Sequence, residues 1–121
     1  MKPFPFLLCL MSFFGCKAAD FRSVDADTFV QIIEDTTVIR LDVRTANEYA
    51  QGHIPNALLI DVTQADFMQK AEQLLPKDKT IALYCRSGRR SKNAAMQLAQ
   101  HGYQVVELNT GFNSWKGEIE R

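Results

Sequence analysis

The sequence predicts an α/β fold, a parallel sheet of about five strands flanked by helices on both faces. Three observations carry that prediction. Helical and strand patterns alternate from Asp20 to the end of the chain. One segment, TIALYC at residues 80–85, is apolar without a polar alternation, as strands covered on both faces are. Prolines and glycines punctuate these patterns and nowhere gather into a linker or a repeat. Strands that alternate with helices pair in parallel, because each helix carries the chain back across the sheet.

Each element has its own signal. A short first strand fits residues 21–24. Ala26, Phe29, Val30 and Ile33 fall at i, i+3, i+4 and i+7, one face of a helix. Residues 37–43 (TVIRLDV) are rich in β-branched side chains and read as a buried strand. A short helix is expected at 46–50 and a strand at 57–62 (ALLIDV). Phe67, Met68, Ala71, Leu74 and Leu75 mark a helix that Pro76 ends. Residues 80–85 form the central strand. Ala94, Ala95, Leu98 and Ala99 line one face of a helix from about 91 to 100, and Gly102 stands where a helix is commonly closed. Residues 104–108 (QVVEL) give the last strand, and a short helix at 113–119 closes the chain.

At 121 residues the chain is about one domain long. Fourteen lysines and arginines balance fourteen aspartates and glutamates. That balance excludes the basic excess of a general nucleic-acid binder, so no nucleic-acid partner is expected. Cys9, Cys16 and Cys85 have no metal-ligand spacing, so neither metal nor cofactor is expected. The first sixteen residues, MKPFPFLLCLMSFFGC, differ from the rest: Lys2 precedes an apolar run at 4–14. That run is too short to span a bilayer and fits the apolar region of a signal peptide. Two processing routes stay open. Gly15-Cys16 resembles a bacterial lipoprotein site, and the small residues around Ala18 fit ordinary cleavage. Residues 1–18 are therefore expected to be a signal and residues 20–121 the domain of an exported, periplasmic protein. It would touch the membrane only through a lipid on Cys16. Either route leaves Cys85 as the free thiol of the mature chain, which is expected to be monomeric.

Cys85 sits in YCRSGRRS, residues 84–91, between the central strand and the next helix. Ligands of open α/β sheets bind at this end of the strands. Backbone N–H groups of residues 86–90 can turn inward as a nest, the helix dipole adds positive potential, and Arg86, Arg89 and Arg90 add full charges. These features stabilise a thiolate and also attract an anion. Ser87 and Gly88 complete the loop, and Ser91 opens the helix. Cysteine phosphatases use Cys-x5-Arg. Here Arg90 gives Cys-x4-Arg, and Ser91 holds the position their arginine needs. The smaller cradle suits a sulfur atom carried on the cysteine better than a phosphate.

Three motifs in order make the chain resemble the rhodanese-like sulfurtransferases. Residues 41–62, LDVRTANEYAQGHIPNALLIDV, are similar to the first signature of that family. YCRSGRRS matches its active-site loop, and LNTGFNSW at 108–115 resembles its closing Gly-Gly-x-x-x-Trp segment, with Thr110 at the first glycine. The resemblance covers nearly all residues from 20 to 121. It implies a single rhodanese domain in which Cys85 takes the outer sulfur of thiosulfate or a persulfide and passes it to a thiol or protein acceptor. This is two-step covalent catalysis. A sulfur carrier or redox module serving a protein partner is the alternative.

Other residues are weighed against plainer roles. Asp42 and Arg44 end a strand near the site. Asp42 either orients the loop through an arginine or joins Arg44 and Glu48 in an ion-pair set that pins the strand end. His53, between Gly52 and Pro55, is expected to stabilise a turn. Phe112 and Trp115 are expected to pack.

Overall fold

The computed structural model describes residues 20–121; the expected signal at 1–18 lies outside them. Five parallel strands form one sheet. They are β1 (Arg22–Val24), β2 (Ile39–Asp42), β3 (Leu58–Leu59), β4 (Ile81–Tyr84) and β5 (Val105–Leu108). Their spatial order is β1-β5-β4-β2-β3, which puts β4 at the centre. The helices are α1 (Ala26–Ile33), α2 (Ala46–Gln51), α3 (Phe67–Leu74) and α4 (Arg89–Gln100), followed by a 3₁₀ turn at Phe112–Ser114.

The alternation of β4 builds two cores. Ile81, Leu83 and Cys85 face α3 and α4, packing with Phe67, Ala71, Ala94, Ala95 and Leu98. Ala82 and Tyr84 face the other way, onto Phe29 and Ile33 of α1. All four β4 residues are buried, which accounts for the unbroken apolar run in the sequence. Phe29 and Phe67 are essentially buried, and each such side chain contributes about 2–3 kcal/mol of transfer free energy.

Local signals fix the ends of the elements. Asp25 caps α1 by accepting the Thr28 N–H at 2.9 Å. Thr45 and Glu48 form a reciprocal capping box on α2. Helix α4 closes with the Gly102 N–H on the Ala99 carbonyl and the Tyr103 N–H on the Leu98 carbonyl, the paired bonds of a Schellman motif.

Four expectations shift. The strand expected at 57–62 is an edge strand of two residues, although the Ile60 and Val62 N–H groups still bond Asp42 and Val43 carbonyls. Val30 and Leu74 fit the helical period but are exposed, because the stripes they extend are wider than the faces that meet the sheet. Helix α4 starts at Arg89 rather than near 91, since Gly88 serves as its N-cap. The closing helix is a single 3₁₀ turn.

Candidate active site

The loop after β4 wraps the Cys85 sulfur. Cys85 follows the last strand residue, and alternation turns its side chain towards α4. Cys85 is 1% exposed: the residue forms the floor of the loop, not its rim. The Gly88 N–H points at Sγ, 3.1 Å away, and the Ser91 Oγ lies 3.4 Å from it. Burial pushes the thiol up. The N–H groups of Ser91, Gly88 and Ser87 oppose burial, and the thiol lies below its ordinary value. Main-chain donors therefore carry much of the effect expected of the three arginines.

Two glycines make this wrapping possible. Gly88 has φ 102°, and a Cβ there would lie 1.9 Å from the Asn109 carbonyl oxygen. Gly111 has φ 68°, and its Cβ would lie 2.4 Å from the Arg86 carbonyl oxygen. The closing segment is thus laid directly on the loop. The Phe112 N–H donates to the Cys85 carbonyl at 2.8 Å and the Asn113 N–H to the Arg86 carbonyl at 3.0 Å. Thr110, where the family motif has a glycine, has no positive φ. Its hydroxyl bonds Ser114 Oγ at 2.6 Å, so the substitution suits the turn.

The arginines divide. Arg90, in the first turn of α4, makes a bidentate pair with Glu48 at 2.7 and 2.9 Å. The Arg90 hydrogen bonds hold the Glu48 carboxyl down at about 2. Arg90 also faces the Cys85 sulfur electrostatically. Arg86 and Arg89 are exposed, and among the described residues neither forms a salt bridge. Arg89, Arg90, Val62, Thr63 and Asn93 line a shallow cleft of about 290 Å³ beside the loop.

Asp42 bonds Arg44 and not an arginine of the loop. Its oxygens accept from the Arg44 backbone N–H at 2.9 Å and from Arg44 Nε and Nη2 at 3.0 and 2.7 Å. Arg44 is itself buried, donates to the Gly52 carbonyl at 2.7 Å and lies over the Phe112 ring at 4.4 Å. Burial opposes its charge, but the Asp42 bonds win and raise its affinity for the proton. The expected set of Asp42, Arg44 and Glu48 is therefore two separate pairs. His53 stacks on Tyr49 with ring centroids 3.6 Å apart, donates its Nδ1–H to the Tyr49 carbonyl at 2.8 Å, and pairs its backbone with Glu120. These contacts fit the turn role.

Sequence reasoning missed Glu107. It is wholly buried in β5, opposite Ser23 of β1 and Leu83 of β4. Its Oε1 accepts the Ser23 hydroxyl at 2.6 Å. Its Oε2 accepts the Ser91 hydroxyl at 2.5 Å and Lys92 Nζ at 3.3 Å. The signal was present in QVVEL: Val105 and Glu107 share the α4 face, beside the strand that leads into Cys85.

Comparison with known proteins supplies the context for this site. Residues 25–118 match the family described as the rhodanese-like domain. A sulfurtransferase of Allochromatium vinosum is 37% identical over 96 residues, covering 78% of this chain and 87% of the relative. A thiosulfate sulfurtransferase of Coxiella burnetii is 29% identical over 87 residues, covering 71% of this chain and 78% of that protein. The crystal structure of a rhodanese-like domain protein from Staphylococcus aureus superposes with a TM-score of 0.71 at 29% identity, covering 83% of this chain and 97% of that one.

Proposed function

This chain belongs to the rhodanese-like domain family, and from that premise we propose that it moves sulfane sulfur through a persulfide on Cys85. The observation that carries the reading is the Gly88 N–H aimed at Sγ inside a loop closed by the Gly111 segment. Cys85, as thiolate, attacks the outer sulfur of thiosulfate. The donor S–S bond breaks and sulfite leaves with the electron pair. The persulfide's terminal sulfur then sits among loop N–H groups, which stabilise its charge as an oxyanion hole does. An acceptor thiolate attacks that sulfur, and Cys85 leaves as thiolate. Arg86 and Arg89, exposed at the rim, would draw the anionic donor in. Arg90 is engaged with Glu48 and would serve the loop's shape.

A second reading keeps the same persulfide and gives it a protein partner. The shallow cleft beside Arg89 and Arg90 favours it, because an open rim admits a protruding thiol of another protein. The apolar run at 4–14 supports export to the periplasm, with or without a lipid on Cys16, of a domain acting as a monomer.

The test is an intact mass of the purified protein after thiosulfate, beside Cys85→Ser. We expect a gain of one sulfur on the wild type alone, removed by cyanide. Loading by an organic persulfide but not by thiosulfate would favour the carrier. No adduct from any donor would refute sulfur transfer.

A further inference from the structure

The Ser91 hydroxyl has one proton and two claimants. On one side is Cys85 Sγ, 3.4 Å away; on the other is Glu107 Oε2 at 2.5 Å. The shorter bond, and the charge-assisted one, goes to the carboxylate. Ser91 then offers Cys85 a lone pair, which suits a thiol S–H and opposes a thiolate. Glu107 is wholly buried, so its charge is poorly screened by water. The groups facing it can be named: Ser23 from β1, Ser91 and Lys92 from α4, and Cys85 beyond Ser91 at the end of β4. Lys92 is the cation among them. Its side chain is half exposed and also bonds the Gly88 carbonyl at 3.1 Å. The sulfur in turn lies within electrostatic reach of Arg90.

We propose that Glu107 is a positioning residue that acts through Ser91 to disfavour negative charge on Sγ, and so biases the site towards its sulfur-loaded form. The inference rests on the sulfur-transfer reading above. When a persulfide R–S–S⁻ loads the site, Cys85–S⁻ becomes Cys85–S–S⁻ and R–S⁻ departs. One S–S bond forms, one breaks, and the leaving thiolate takes the electron pair. No oxidant is needed and total charge is unchanged. What changes is where the charge sits. It moves from Sγ, next to Ser91 and Glu107, to an outer sulfur among the loop N–H groups. Sγ becomes neutral, and the Ser91 proton remains with Glu107 without conflict. A carboxylate placed beneath Sγ therefore penalises the empty thiolate more than the loaded persulfide. The domain holds sulfur more tightly and is released from it chiefly by a strong acceptor.

Two readouts test this on the purified protein. The first is the pH dependence of Cys85 alkylation by iodoacetamide, followed on the Cys85 peptide. The second is the fraction of Cys85 persulfide at equilibrium with mixtures of glutathione persulfide and glutathione. In Glu107→Gln the amide can donate to Ser91 and frees its hydroxyl for the sulfur. The alkylation midpoint should fall by about one pH unit, and the loading equilibrium should move about tenfold towards the empty thiol. Lys92→Gln changes an exposed position and leaves the carboxylate less compensated, so both readings should move in the opposite sense. In a Ser91→Ala background the effect of Glu107→Gln should shrink, which a merely structural glutamate would not show. A midpoint that rises in Glu107→Gln, or either readout unmoved in both single variants, overturns the inference. A wild type that takes no sulfur at all overturns sulfur transfer instead and leaves the alkylation comparison readable.

Discussion

Two neighbouring strands end alike and behave differently. β2 ends in Asp42, with Arg44 two residues on; β4 runs into Cys85, followed by Arg86. They are adjacent in the sheet, with Asp42 paired to Tyr84. At the β2 end the anion and cation belong to each other. Arg44 spends its donors on Asp42 and the Gly52 carbonyl, and its face lies over Phe112. Both residues are buried. At the β4 end the anion is a sulfur whose donors are main-chain N–H groups, while Arg86 stays at the rim. A sealed side-chain pair is a fixed piece of structure. A sulfur held by main-chain donors, with cations left outside, can exchange what it carries.

The largest break in this comparison comes at β2. Asp42→Ala leaves the Arg44 charge buried without a partner, which costs about 3–5 kcal/mol. Cys85→Ser at the β4 end keeps a hydrogen-bonding atom among the loop N–H groups and should cost less, about 1 kcal/mol, while abolishing sulfur loading. Chemical denaturation of both variants checks the pair. Similar stabilities would mean that the Asp42–Arg44 pair is not the fixed element described here.

The difference between the ends also explains what could be read beforehand. The fold was legible because hydrophobic period and turn chemistry agree along most of the chain: the bare run at 80–85 became the central strand, and Gly102 closed α4. The short β3 was less legible, since ALLIDV carries strand propensity throughout but only Leu58 and Leu59 pair in the ladder. At the site, Cys85 and its loop stood out because cysteine and three arginines are unusual together. The division of labour among those arginines did not, because pairing of Arg90 with Glu48 joins residues 42 positions apart. Glu107 went unnoticed for a related reason. A glutamate in a short strand reads as solvent-facing until neighbouring strands are set in register, and only then does its face prove to be that of Cys85.

A moderate effect is expected at the Glu48–Arg90 pair. Its carboxyl is held at about 2 by Arg90, below the usual glutamate value in an unfolded chain. A depressed folded value stabilises the protein above the unfolded value, and that stability is lost as pH falls through the folded one. Glu48→Gln should therefore destabilise by about 1–2 kcal/mol at neutral pH, allowing for solvent screening of a quarter-exposed pair. The gap between variant and wild type should close between about pH 5 and pH 2. Denaturation midpoints across that range measure it, and a gap independent of pH would show that the capping box, not the charge, is what Glu48 supplies.

The smallest effect on stability, and the sharpest test of the open end, lies at the rim. Replacing both Arg86 and Arg89 with methionine removes two exposed charges with no salt-bridge partner among the described residues. Stability should change by no more than about 0.5 kcal/mol. Loading by thiosulfate, a dianion, should slow about tenfold at low salt, with the difference shrinking as salt rises. The thiol's alkylation midpoint should barely move, because its principal donors are main-chain N–H groups rather than these side chains. A slower loading rate with an unshifted thiol separates attraction of the donor from activation of the sulfur. If the midpoint instead rose with the loss of these two charges, the rim arginines would be part of what holds the thiolate, and the β4 end would resemble the β2 end more closely than its hydrogen bonds indicate.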